Sequence, residues 1–489
     1  MSYTILILYA VCMLFIFLFS MSQLHLTFLY LRKKRNPSHS HQILINNEDL
    51  PIVTIQLPVY NELYVIERLI DSVVAFNYPK EKLEIQILDD STDETVDIIA
   101  KKVTEWKAKD FDILHIRREN RKGFKAGALK YGTAIAKGEF IAIFDADFVP
   151  EKNFLNKTLP YFKNDRTGVV QTRWGHLNKD YSLLTKLQAF GLDAHFSIEQ
   201  VGRNAAGSFI NFNGTAGIWR KTCIIDAGGW QPDTLTEDLD LSYRAQMKGW
   251  HFEFLEDVES PAELPVLMPA IKSQQFRWNK GAAETARKHL LTVMKTKLKF
   301  SNKVHAFFHL LNSSIFVFLL FAAILSIPML LVKQNSPELH LLINIGSILL
   351  FGFFSITIFY WVAAKRFEKQ HTLSYFIKTY PLFLCISMGL SLHNAVAVIE
   401  GLMGFKSPFI RTPKFNITKL KDQWKGNIYI KKSFSWLNLL EGILGLYFLT
   451  GIGLGIYLKD YGLLIFHIML CFGFISVFYY TVKAAVSIK

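Results

Sequence analysis

Apolar stretches long enough to cross a bilayer bracket a central region of shorter alternating segments, and this division is the strongest pattern in the chain. Thr4 to Leu31 is almost uncharged and ends at Arg32, Lys33, Lys34 and Arg35. That basic cluster pins its end to the cytoplasm and leaves the N-terminus outside. No basic segment precedes the run and no small-residue cleavage site follows it, so it reads as an uncleaved anchor over 1–35 rather than a signal peptide. Further apolar runs cover His305 to Val332, Leu341 to Ala364, Tyr375 to Met403, and Phe434 to Val482, the last holding two spans around Lys459-Asp460.

The run from Tyr375 to Met403 carries Ser387, Ser391, His393, Asn394 and Glu400, groups that are costly inside hydrocarbon. Lys365, Arg366 and Lys369 precede it. Lys406, Arg411, Lys414, Lys419, Lys421, Lys425, Lys431 and Lys432 follow it against a lone Asp422. Both flanks are cytoplasmic by charge, and one run between two inside loops cannot cross once. The expectation is a helix at 375–403 that lies on the interface or re-enters. That leaves spans at 305–364 and 434–489, interfacial helices at 265–304 and a cytoplasmic loop at 404–433.

Composition adjusts this picture little. The chain has 489 residues, 51% hydrophobic and 14% aromatic, enough for one sizeable water-soluble domain plus the spans. Its net charge of +14 gathers beside apolar segments, as at a cytoplasmic membrane face, so no nucleic-acid partner is expected. Cys12, Cys223, Cys385 and Cys471 are far apart, which indicates neither a disulfide framework nor a zinc site.

Between Pro51 and Leu264, buried-strand segments alternate with helical ones, which predicts an α/β sheet. Val53 to Leu57, Glu84 to Leu88 and Phe140 to Phe144 read as strands, each ending at a polar cluster: Pro58 to Glu62, Asp89-Asp90, and Asp145-Ala146-Asp147. In open α/β sheets the carboxyl ends of strands form the ligand crevice, so the three clusters should converge. Helix capping is the structural alternative for Asp89 to Asp93. Asp145 and Asp147 can hold a hard divalent cation, Mg²⁺ or Mn²⁺, against a diphosphate.

Thr236-Glu237-Asp238 opens a helical segment, Leu239 to Lys248, where a carboxylate can accept a proton from an attacking hydroxyl. A capping box fits the same residues equally well. Gln274, Arg277 and Trp278 share one helix face, offering a guanidinium for phosphate and an indole for a sugar ring. Interfacial anchoring is the alternative for Trp278. Lys122 to Gly127 is a basic, glycine-containing loop able to approach phosphate.

These motifs resemble the inverting glycosyltransferases of family 2, in the processive cellulose-synthase-like group. The resemblance runs from Pro51 to Lys414 and rests on Phe-Lys-Ala-Gly at 124–127, Asp145-x-Asp147, Phe-Asn-Gly-Thr-Ala-Gly-Ile-Trp-Arg at 212–220, Thr-Glu-Asp at 236–238, and Gln274-x-x-Arg277-Trp278. His195-Phe196 with Glu199-Gln200 points to the mannan/glucomannan and xyloglucan-backbone synthase branches. It implies a GT-A-type α/β catalytic domain at 51–264, with a mixed, mostly parallel sheet, inserted between transmembrane helices.

By the same resemblance, Asn61, Glu62, Asp89 and Asp90 bind the nucleoside, and Lys125 binds the nucleotide or donor sugar. Asp145 and Asp147 take metal and diphosphate, with Gln274 and Arg277 on the donor. Asp238, flanked by Thr236 and Glu237, is the general base. Trp278 and the loop Phe212, Asn213, Gly214, Thr215 hold the acceptor. Phe409 to Lys414 resembles a gating loop that closes over the nucleotide through Thr412 and Lys414, with Arg411 where that motif has Val.

The implied activity is processive extension of a β-linked hexose polymer, β-1,4-mannan, glucomannan or glucan, from GDP-mannose or UDP-glucose. The implied setting is the cell membrane, or the Golgi membrane of a eukaryote, with the catalytic domain cytoplasmic. Transfer of a single hexose to a lipid is the other enzyme reading. A transporter or scaffold with a degenerate sugar-binding domain is the reading from another class, and the intact acids argue against it.

Overall fold

The structure is a computed structural model that describes residues 2–35, 50–407, 410–424, 426–430 and 435–487. Phe409 of the expected gating loop, and Lys425, Lys431, Lys432 and Phe434, lie outside the described residues.

Seven strands form one sheet in the order β3-β2-β1-β4-β6-β5-β7. They are β1 (Val53–Val59), β2 (Leu83–Asp89), β3 (Asp112–Arg117), β4 (Phe140–Ile143), β5 (Thr167–His176), β6 (Gly217–Arg220) and β7 (His251–Ala262). Only β6 runs against the others, pairing antiparallel with β4 and β5. The sheet is thus mixed and mostly parallel, as expected. β1, β2 and β4 are buried nearly throughout because helices cover both faces, which is why they read as unbroken apolar runs. All three predicted strands are present within two residues at each end.

The register places the polar clusters together. Val59 lies opposite Asp89 and Gln56 opposite Ile143, so the chain leaves β1, β2 and β4 at one edge of the sheet. Asn61, with φ +54, fastens two of these exits: its backbone N–H donates to Ser91 Oγ at 2.8 Å, and its Oδ1 accepts from Thr92 N at 2.9 Å.

Among the described residues, five helices are long and apolar enough to cross a membrane: α1 (Ser2–Arg35), Asn312–Asn335, Pro337–Phe367, and two near the end, Trp436–Tyr457 and Leu464–Ser487. The chain is an integral membrane protein. The segment Tyr375 to Met403 is two helices, Thr372–Gly389 and Ser391–Met403, bent by 50°. The bend falls where Gly389 packs directly on the Gly473 backbone, an approach that a side chain would block.

Three apolar segments end on the sheet or at the carboxyl ends of its strands. Lys34 at the end of α1 meets Glu256 of β7 at 2.7 Å. Arg366 reaches Glu256 at 3.1 Å and Asp257 at 2.7 Å. Beyond Met403, Lys414 reaches Asp147.

Candidate active site

The cleft lies at the carboxyl ends of β1, β2 and β4. It is closed from the side by α2 (Phe124–Ile135), α3 (Leu183–Ala194), α4 (Glu237–Met247) and α5 (Met268–Lys295), and from above by the chain at 411–414. Its walls carry Asp90, Lys125, Asp145, Asp147, Glu237, Asp238, Gln274, Arg277, Trp278, Thr412 and Lys414. Most of the residues singled out in sequence are therefore brought to one place.

Asp145 and Asp147 each hold a lysine. Lys125 Nζ lies 2.5 Å from Asp145 Oδ1 and donates to the Gly214 carbonyl at 2.8 Å. Lys414 Nζ lies 2.5 Å from Asp147 Oδ2. The backbone of Asp145 is set by Thr215, whose Oγ1 accepts its N–H at 2.8 Å.

The first turn of α4 presents Glu237 and Asp238. Leu239 N donates to Asp238 Oδ1 at 2.8 Å, which directs the other oxygen toward Gly214. A Cβ on Gly214 would meet that oxygen at 3.0 Å, and the residue's φ of +78° also favours glycine. Burial, and then the neighbouring Glu237 charge, push the Asp238 carboxyl up to about 7, with Lys125 opposing. Burial likewise raises Glu237. Thr236 occupies the cap position without a capping bond. Instead its Oγ1 lies 3.3 Å from Thr285 Oγ1 on α5.

Asn213 and Gly214 line the cleft as expected, but Phe212 and Thr215 are corrected. Both are fully buried behind it. Phe212 packs edge-on against Trp219 at 5.4 Å, because an extended loop that shows Asn213 to the cleft must turn its neighbour inward. Thr215 acts on the Asp145 backbone. Asp89 is corrected similarly: its side chain is buried, bonded to His115 at 2.8 Å and to Ser91 N at 2.8 Å, so it shapes the strand-end turn. Asp90 faces the cleft and is forked by Arg118. Asn61 lies outside this cleft, in the adjoining cavity beside Tyr60.

Glu62 lines the cleft, yet its carboxylate is taken by Arg411, with Arg411 Nε 2.8 Å from Oε1. Burial pushes Glu62 up to about 7 against the pull of Arg411. Arg411, where the gating motif has Val, is thus a latch between the loop and the end of β1. Further along, Glu263 accepts the backbone N–H groups of Phe415 and Asn416, each at 2.9 Å. Arg121, stacked 3.3 Å from the Tyr60 ring centroid, and the β5 residues Trp174 and His176 were not singled out from sequence. An Arg-Trp pair at 173–174, echoing 277–278, was the available signal.

The models of "Glycosyl transferase family 2" and "Glycosyl transferase family group 2" match residues 54–223 and 140–364. The chain is 43% identical over 281 residues to the probable glucomannan 4-beta-mannosyltransferase 4 of Oryza sativa subsp. japonica, covering 56% of this chain and 51% of that protein. It is 40% identical over 281 residues to glucomannan 4-beta-mannosyltransferase 2 of Arabidopsis thaliana, covering 56% and 52%. The matched segments span about half the length of these relatives. Among solved structures, the mannosyltransferase PcManGT of Pyrobaculum calidifontis, in complex with GDP-Man and Mn²⁺, superposes with a TM-score of 0.55 at 18% identity. That match covers 81% of this chain and 100% of that one, and it shows the shared fold.

Proposed function

We propose that the chain is a family 2 glycosyltransferase that extends a β-1,4-linked mannan or glucomannan from GDP-mannose at a membrane. The observation that carries this reading is one cleft holding Asp238 on a helix N-terminus, the Asp145/Asp147 pair at a strand end, and the Arg277-Trp278 face of α5. The names of the 4-beta-mannosyltransferase relatives support the mannosyl unit and the β-1,4 linkage.

In this reading the acceptor hydroxyl oxygen attacks the anomeric carbon as the bond from that carbon to the diphosphate oxygen breaks. The configuration inverts in one displacement. Asp238 accepts the hydroxyl proton, and its raised pKa fits a base that gains a proton near neutral pH. Arg277, Lys125 and Lys414 supply positive charge for the departing diphosphate. Trp278 stacks the acceptor ring.

Asp145 and Asp147 fit a divalent cation, since Mg²⁺ and Mn²⁺ are commonly held by one or two carboxylates together with substrate phosphates. Each of these acids is paired with a lysine, Lys125 on Asp145 and Lys414 on Asp147, so an incoming ion would share or displace those partners. When bound, the ion neutralises charge on the leaving group.

Cytoplasmic placement of the catalytic domain follows from the basic clusters. Because Arg366 and the 410–424 segment both meet that domain, the bent pair between them enters and leaves on one side. A cysteine placed at Leu420, which is 72% exposed, tests this against a background of four buried native cysteines. Labelling of intact cells by a membrane-impermeant maleimide would sink the topology.

For activity, the purified full chain is incubated with labelled GDP-mannose or UDP-glucose and Mg²⁺ or Mn²⁺. Precipitable product cut by β-1,4-mannanase is expected, and a chloroform-soluble product would overturn the polymer reading.

A further inference from the structure

The C-terminal end of α5 and the turn after it carry an apolar and basic surface that no catalytic step uses. Leu291 is 74% exposed, Met294 37% and Phe300 81%, although all three lie outside the membrane-crossing helices. Large apolar groups held out at one place mark a surface that something covers. Among them Lys295, Lys297 and Lys299 are exposed, and none makes a hydrogen bond or ion pair among the described residues. The alternation is built in: Leu298 turns inward onto the core of Phe209, Tyr243 and Val293, so the lysines on either side of it turn outward. No Asp or Glu occurs from Thr285 to Pro337.

Contacts of the next helix fix the height of this surface. That helix, α6 (Phe300–Leu310), is tied to the end of α5 by Lys303, whose Nζ donates to the Met294 carbonyl at 2.8 Å. Deeper along α6, Phe308 meets Phe15 and Phe19 of the α1 span, with ring centroids 6.3 and 6.5 Å apart. His305 Nε2 lies 3.0 Å from His25 Nδ1. Passing from Phe308 back to His305 therefore follows α1 from Phe15 and Phe19 toward its basic end. Phe300 lies roughly 7 Å further in the same direction. It reaches the height where α1 gives way from apolar residues to Arg32, Lys33, Lys34 and Arg35, the boundary between hydrocarbon and headgroups.

A segment that rests on an anionic membrane sinks its aromatic and aliphatic groups into the headgroup layer and sets its lysines among the phosphates. We infer that Leu291, Met294 and Phe300, with Lys295, Lys297 and Lys299, form a docking surface for anionic phospholipid headgroups of the bilayer that holds the chain. A soluble polyanion would match the lysines but leave Phe300 and Leu291 in water. The surface ends the same helix that carries Gln274, Arg277 and Trp278, so headgroups that hold it also hold that helix. The inference concerns lipid contact and stands whichever sugar is transferred.

The test labels Ser301→Cys, exposed beside Phe300, with a fluorophore against four buried native cysteines. The purified full chain in mixed micelles is titrated with phosphatidylglycerol or phosphatidylcholine brominated on the acyl chains, and quenching is read. Each lysine near an anionic surface contributes about fivefold in partition, so the half-point for phosphatidylglycerol should lie at least about tenfold below that for phosphatidylcholine. Lys295→Gln/Lys297→Gln/Lys299→Gln should bring the two half-points within about twofold, and about 0.5 M NaCl should narrow the gap. Leu291→Ser/Phe300→Ser should instead weaken quenching by both lipids alike. A thermal midpoint in lipid-free detergent close to that of the parent certifies folding. Should the lysine variant fail that control, the salt dependence and Leu291→Ser/Phe300→Ser decide the matter alone. Equal half-points for the two lipids with the lysines intact, or a phosphatidylglycerol preference untouched in the folded lysine variant, overturns the docking surface. So does displacement of phosphatidylglycerol by soluble polyphosphate at equal charge concentration, which assigns the lysines to a soluble anion.

Discussion

Asp238 carries a sharply testable quantity. Holding its carboxyl at about 7 rather than the ordinary 3.8 corresponds to roughly 4 kcal/mol of preference for the protonated form. Burial is the largest cause, Glu237 adds to it, and Lys125 works against it. A general base must be ionised in the free enzyme, so kcat/KM should rise with pH through an apparent pKa near 7 and then level. Two substitutions should move that midpoint in opposite directions. Glu237→Gln removes a raising charge and lowers it; Lys125→Met removes a lowering charge and lifts it, measurable on the residual rate.

Stability should show the opposite slope. The folded state binds the extra proton between pH 3.8 and about 7, so Asp238's contribution is complete below that window and lost as pH rises through it. Asp238→Asn should therefore abolish polymer synthesis while raising the thermal midpoint at pH 8. A kcat/KM profile flat from about pH 5 to 9, or a midpoint that rises in Glu237→Gln, refutes the assignment of Asp238 as base.

Other outcomes follow from contacts around the cleft. At Gly281 of α5 a Cβ would sit 2.5 Å from Thr236 Cγ2 and 2.8 Å from its backbone nitrogen, so Gly281→Ala should cost about 10- to 100-fold in kcat with GDP binding intact. Arg411→Val strands Glu62 in a buried position, and limited proteolysis within 410–424 should accelerate; adding Glu62→Leu should restore protection. Lys272 lies 2.5 Å from Glu441, which is fully buried in an apolar helix, so Lys272→Met should lower the thermal midpoint in detergent and Lys272→Met/Glu441→Met should recover it. Asp147→Asn should depress turnover far more than folding, read as a rate loss at unchanged thermal midpoint.

The strand ends were legible because a strand buried on both faces is an unbroken apolar run and its exit is abruptly polar. Which member of an exit cluster meets ligand was not. Asp89 and Asp90 are chemically identical, and only their alternation decides that one is sealed against His115 while the other faces the cleft. Phe212 and Asn213 divide in the same way. The Arg411 latch was beyond reading for another reason: it closes across 349 residues, a distance over which spacing carries no signal.

The long helix α5 ties the turn that presents Asp238 to the bent membrane pair. Its inner face fixes Thr236 through Gly281 and Thr285, and with it the turn that presents Asp238. Its outer face is keyed to the bent membrane pair: a Cβ at Gly401 would meet the Lys280 carbonyl at 2.6 Å, Lys280 reaches Glu400 at 2.8 Å, and Asn394 donates to Gln275 at 2.8 Å. Lys280 is fully buried, and desolvating such a charge offsets most of what its ion pair returns. Stability alone is a poor reason to keep it. Register is a better one, since an ammonium aimed at one carboxylate tolerates no slide along the helix, whereas an apolar contact would. Lys280→Met should then leave the thermal midpoint within a few degrees and lower kcat, and a variant with unchanged kcat would show that α5 holds its position by packing alone.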